Sequence, residues 1–129
     1  MKDFKILLVE DDPINALVVT KTFKEYSFTV ANSGQSALEK VYEEDFRLIL
    51  MDINLGEPAL DGIGVMKKIR ENSKFAHIPI FAVTSYGMQG DREKFLKEGF
   101  NGYISKPIGR ENLGAIIEGL RQRMDASEG

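Results

Sequence analysis

Polar clusters capable of chemistry stand directly after short apolar runs: Glu10-Asp11-Asp12, Asp52, Thr84-Ser85 and Lys106-Pro107. Each type has a role in moving a phosphoryl group. An aspartate oxygen is a nucleophile toward phosphorus, a lysine ammonium neutralises the charge spread over the equatorial oxygens of an in-line transfer, and a threonine hydroxyl donates to another of them. Carboxylates gathered at one place repel each other and raise one another's pKa unless a cation intervenes. A hard divalent ion, Mg²⁺ or Mn²⁺, is the economical cation, because it takes oxygen ligands. Such chemistry needs Glu10, Asp11, Asp52, Thr84 and Lys106 on one edge of a fold.

The elements between these clusters predict that arrangement. Apolar runs at Lys5 to Val9, Phe28 to Ala31, Arg47 to Met51, Pro79 to Val83 and Gly102 to Ser105 lack polar alternation and read as strands buried on both faces. Helical spacing fills the gaps. Ile14, Leu17 and Val18 predict the core face of a first helix, with Asp12 as N-cap and Pro13 in the first turn. Ala37, Leu38, Val41 and Tyr42 mark a second; Ile63, Met66 and Ile69 mark a third, starting from Asp61-Gly62. Phe95 and Leu96 mark a fourth, opened by Asp91 as cap, and Leu113, Ile116, Ile117 and Leu120 mark the last. These helix-face residues are expected in the core. Strict βα alternation argues for an α/β fold: a doubly wound, flavodoxin-like sheet of five parallel strands in the order 2-1-3-4-5, with helices on both faces joined by right-handed crossovers. Ligands of such sheets sit at the carboxyl ends of the strands, beside the switch point between strands 1 and 3. Glu10, Asp11, Asp52, Thr84 and Lys106 stand there.

With these residues in place, the segments ILLVEDD, LILMDI, FAVTS and GYISKP, in that order, resemble the receiver (phosphoacceptor) domain of bacterial two-component response regulators over residues 4 to 123. The resemblance implies phosphorylation of Asp52 from a phosphohistidine on a histidine kinase or histidine phosphotransfer protein. It implies a metal site of Glu10, Asp11, the Asp52 carboxylate and the Asn54 carbonyl, with Asp11 binding directly and Glu10 through water. Lys106 and Thr84 would complete the catalytic set. Thr84 and Tyr103 would form a switch pair that reshapes a docking face of helix 4, strand 5 and helix 5 for a downstream effector. A cis peptide before Pro107 is also implied. Asn54 and Tyr86 would gate water and so tune the lifetime of the acyl phosphate, and the small Ser85 would leave room for the phosphoryl group. One departure stands out: Leu55 to Leu60 separate the aspartate from Asp61-Gly62 by a longer loop than the commonest pattern of that family.

The bulk properties agree. The chain has 129 residues, 43% of them hydrophobic, enough for one domain over 1–124 followed by a polar tail at 125–129. A net charge of −3 without a basic run argues against direct nucleic-acid binding, and no apolar stretch is long enough to anchor the chain in a membrane. The lack of cysteine excludes disulfides and thiolate chemistry and fits a cytoplasmic home. An aspartyl phosphotransferase of the haloacid-dehalogenase kind would need its nucleophile and a second aspartate after strand 1. A nucleotide or flavin carrier would not put three acids where a phosphate is cradled. The only histidine, His77, belongs to the amino end of the sheet and reads as a surface residue. The signalling phosphoacceptor, not an enzyme acting on other substrates, is the reading these residues favour. The chain reads as a single-domain regulator, or else as the receiver of a larger protein such as a hybrid kinase.

Overall fold

A computed structural model of the chain describes residues 4–53, 55, 61–85 and 91–128. Strands β1 (Lys5–Val9), β2 (Ser27–Ala31), β3 (Leu48–Asp52), β4 (Ile80–Thr84) and β5 (Gly102–Ser105) alternate with helices α1 (Pro13–Thr22), α2 (Gly34–Glu43), α3 (Gly62–Glu71), α4 (Asp91–Glu98) and α5 (Arg110–Glu128). The strands are all parallel, in the order β2-β1-β3-β4-β5, as predicted. β3 and β4 each run one residue beyond their apolar stretch, so Asp52 and Thr84 belong to the ladder itself. Helix α5 continues to Glu128, into the segment expected to be a polar tail.

Alternation along each strand divides the core in two. Ile6, Leu8, Leu48, Leu50, Val83 and Ile104 face Ala16 and Phe23 of the α1 side and Leu113 and Ile117 of α5. Leu7, Val9, Ile49, Met51 and Ala82 face α2, α3 and α4 through Val41, Met66 and Phe95. The helix starts follow their local chemistry. The Asp12 side chain accepts from the Ile14 N–H at 2.9 Å, and Pro13 occupies the first turn of α1; the Asp61 side chain accepts from the Gly64 N–H at 2.8 Å to cap α3. Asp91 lies inside the first turn of α4 rather than ahead of it.

The expected core face of α1 is wrong. Ile14, Leu17 and Val18 are 70%, 52% and 57% exposed, and the stripe on the sheet is Ala16, Val19 and Phe23. α1 is apolar around most of its circumference, so spacing alone offers more than one inward stripe. Tyr42 and Leu96, also expected inside, are exposed at the margins of α2 and α4. Tyr42 nonetheless packs edge-on against Phe75 at 5.0 Å and accepts a hydrogen bond from Asn72. The corrected orientation predicts unequal costs. Phe23→Ala should cost about 3–5 kcal/mol and Val18→Ser within about 0.5 kcal/mol, measured by denaturant unfolding. Similar losses at both positions would contradict the packing.

Candidate functional site at the carboxyl edge of the sheet

Register brings the polar clusters together. Val9 pairs with Met51, so Glu10 and Asp52 emerge side by side. Asp52 pairs with Val83 and Thr84 with Ser105, which puts Thr84 and Lys106 at the same edge. The Lys106 N–H donates to the Thr84 carbonyl at 2.8 Å and continues the ladder past β5. The peptide between Lys106 and Pro107 is cis, as the resemblance implied.

Among the described residues the buried polar side chains are Glu10, Asp52 and Thr84, at 5%, 4% and 4% exposure. Interiors exclude charge unless it is paired, and here it is. The Lys106 Nζ lies 3.3 Å from Asp52 Oδ2 and 3.3 Å from Glu10 Oε1, while Glu10 Oε2 accepts from the Asp12 N–H at 3.2 Å. Glu10, exposed Asp11 and Asp52 each offer a carboxylate oxygen, all within 4.8 Å of one another. Strand parity separates two groups. Glu10, Asp52 and Lys106 emerge on the α1/α5 face, whereas Thr84 and Tyr103 emerge on the α3/α4 face, where the Tyr103 ring packs against Phe95 with centroids 5.8 Å apart.

Electrostatics follow from that crowding. Burial pushes the Glu10 carboxyl up to about 7, reinforced by its hydrogen bond and charge contact with Asp52 and only partly offset by the Asp12 N–H and Lys106. Burial disfavours the Lys106 ammonium, but the charges of Asp52 and Glu10 outweigh it, and its pKa rises. Three carboxylates facing one ammonium leave negative charge uncompensated, and the donors are all oxygens. That set fits a hard divalent ion and not a soft one.

Sequence reasoning missed one positioning residue. A Cβ on Gly62 would lie 2.2 Å from the Asp52 carbonyl oxygen, so only glycine lets α3 begin this close to the strand end; its N–H also donates to the Ile53 carbonyl at 3.2 Å. The Asp-Gly pair behind the site strand was the available signal. Asn54 and Tyr86 lie outside the described residues, as does the long loop apart from Leu55, which is buried. His77 is exposed at the amino end of β4, as expected.

Comparison with known proteins decides the family. The model of the response regulator receiver domain matches residues 6–118. The chain belongs to the response regulator receiver domain family. This receiver is 36% identical over 122 residues to a hybrid signal transduction histidine kinase of Dictyostelium discoideum, covering 88% of this chain but 7% of that protein. Its fold matches the receiver domain of the sensor histidine kinase PA1611 of Pseudomonas aeruginosa, solved with a magnesium ion coordinated in its active-site cleft. The TM-score is 0.78 at 35% identity, over 91% of this chain and 96% of that one. It also matches the Saccharomyces cerevisiae Ssk1 receiver, solved with the histidine phosphotransfer protein Ypd1, at TM-score 0.75 and 31% identity over 87% and 84% of the two chains.

The raised Glu10 pKa gives the receiver a pH signature. Below about 7 a proton occupies Glu10 and competes with a metal ion, so affinity for Mg²⁺ should fall by up to roughly tenfold per pH unit on acidification, as for one coupled proton. Titration calorimetry from pH 5.5 to 8 should give that slope for wild type and a shallower one for Glu10→Gln. A flat wild-type profile would contradict the assignment.

Proposed function

We propose that Asp52 is the phosphoacceptor of this receiver, with Lys106 and Thr84 completing the catalytic set and Glu10, Asp11, Asp52 and Asn54 holding Mg²⁺. The observation that carries the proposal is the burial of Asp52 at the end of β3, with the Lys106 ammonium 3.3 Å from its carboxylate. An Asp52 oxygen attacks the phosphorus of a phosphohistidine; the O–P bond forms as the N–P bond breaks, and the imidazole leaves with that bonding pair. Lys106 neutralises one equatorial oxygen, and the Thr84 hydroxyl donates to another. A bound Mg²⁺ supplies the remaining charge neutralisation. Self-catalysed gain and slow loss of this group are the receiver's own chemistry, and a downstream effector reads the result through Thr84, Tyr103 and the face of α4, β5 and α5.

Incubation with acetyl phosphate and Mg²⁺ should add one base-labile phosphoryl group by intact-mass measurement, and Asp52→Asn should abolish it. An Asn variant labelled like wild type would sink the assignment.

The exposed side of α1 supports a docking role toward the donor. Ile14, Leu17 and Val18 form an apolar ridge beside a cavity of about 450 Å³ between α1 and residues 106–108, with Asp52 and Lys106 in its inner wall. An exposed apolar patch next to a reactive group marks an interaction surface. Arg110 holds the far side of that cavity together: it pairs with Glu25, donates to the Thr22 carbonyl at 2.6 Å and stacks over Phe23 at 5.1 Å. We assign this surface to a histidine kinase or histidine phosphotransfer protein, the latter being the kind of partner with which the Ssk1 receiver was solved. A cytoplasmic location goes with such donors. Changing Leu17 and Val18 together to Asp should slow phosphotransfer from a cognate phosphohistidine protein by about tenfold or more, while labelling by acetyl phosphate stays within about twofold of wild type. Equal slowing with both donors would rule the docking role out.

A further inference from the structure

Arg70, in the last turn of α3, makes an unusual set of contacts at the opposite end of the sheet from Asp52. Its Nε donates to the Gly99 carbonyl at 3.2 Å, Nη1 to the Ala76 and Ile78 carbonyls at 2.8 and 2.6 Å, and Nη2 to Asn101 Oδ1 at 2.7 Å. Among the described residues its hydrogen-bond partners are all carbonyl-type oxygens. Every nitrogen of the guanidinium is used, a pattern its planar fork allows and a lysine ammonium cannot reproduce. The contacts join three segments: the end of α3, the connection into β4, and the stretch from the end of α4 to β5. Asn101 adds a second bracket, since its Oδ1 also accepts from the Ile80 N–H and its own N–H donates to the Ile80 carbonyl, both at 2.8 Å.

Two more residues of α3 hold the same end of α4. Lys67 pairs with Glu98 at 3.0 Å. Gly99 has φ +126°, a conformation that strains any L side chain, and a Cβ there would lie 3.0 Å from the Met66 sulfur. The backbone therefore turns sharply while seated on α3. On α4 itself, Phe95 is buried between Phe100 and Tyr103, each ring 5.8 Å away.

We infer that Arg70 pins the carboxyl end of α4 and makes Gly99 the pivot about which α4 turns when Tyr103, through Phe95, responds to phosphorylation. The inference rests on the phosphoacceptor reading of Asp52 for its trigger, but not for the anchor itself. A rigid helix fixed at one end moves most at the other, so the displacement of the signalling face should be graded along α4. Arg70 touches neither the donor nor the reacting atoms and acts as a positioning residue for the output.

The chain has no cysteine, which permits clean spin labelling of paired cysteine variants. Glu39→Cys on α2 is combined with Arg92→Cys at the start of α4 or with Lys97→Cys at its end, all three sites being exposed. Electron–electron distances are taken before and after treatment with acetyl phosphate and Mg²⁺, and intact mass reports phosphorylation in the same samples. The Arg92 distance should shift and the Lys97 distance stay fixed; adding Arg70→Lys should release the Lys97 distance as well. Equal shifts at both labels, or none at either, overturn the pivot.

Amide exchange of the untreated protein tests the anchor independently. Arg70→Lys should speed exchange of the Gly99, Phe100 and Asn101 amides by about tenfold or more while leaving β1 and β3 protected. The milder Asn101→Ser serves if the arginine variant does not fold. Unchanged exchange overturns the anchor. A missing mass gain sinks the Asp52 reading and the pivot with it, whereas the exchange result still decides the anchor.

Discussion

The contact on which the site depends is the Lys106 ammonium lodged between the carboxylates of Glu10 and Asp52, 3.3 Å from each. Two nearly buried acids at adjacent strand ends would otherwise repel in a medium that screens poorly. The lysine reaches them across β4 from the end of β5, where its backbone continues the ladder onto the Thr84 carbonyl. Removing the lysine would leave both acids uncompensated, at a cost of about 3–5 kcal/mol. Even with the lysine present the Glu10 carboxyl is pushed up, first by burial and then by its hydrogen bond and charge contact with Asp52. A cluster of oxygen donors such as this suits a hard divalent cation, which the proposed phosphoryl transfer onto Asp52 would use.

Strand parity divides the labour. Glu10, Asp52 and Lys106 emerge on the α1/α5 face and line the cavity beside the apolar ridge of α1; Thr84 and Tyr103 emerge on the opposite face, where Tyr103 packs against the α3/α4 core. The two faces meet at the carboxyl edge. There Asp52 and Val83 are paired neighbours and Thr84 is the next residue. The α4 side is braced at the amino end of the sheet by Arg70 of α3, so the candidate site and this bracing sit at opposite ends of the same strands.

Much of this was legible in the residues. Asp12 before Pro13 and Asp61 before Gly62 mark helix starts because a carboxylate caps free N–H groups wherever a helix begins, whatever surrounds it. The strands were recognisable as apolar runs. The apolar runs stop at Met51 and Val83 while the paired strands include Asp52 and Thr84, because apolar composition records burial of side chains whereas pairing is a property of the backbone. The inward face of α1 was misread for a related reason: an almost uniformly apolar helix has no preferred side until a sheet is laid against it.

The sequence by itself determined the fold class, the strand order through βα alternation with five strands, and which polar clusters stand at the run ends, because these follow from local periodicity and residue types. Only the tertiary structure decided which stripe of α1 faces water, that Gly62 must lack a side chain beneath Asp52, and that Arg70 ties three distant segments together. These depend on distances between residues far apart in the chain, which arise when the strands pair in register. The cluster of Glu10, Asp52 and Lys106 spans both levels: its members were readable one by one, but the upward shift of Glu10 exists only once burial and the neighbouring Asp52 act on it together.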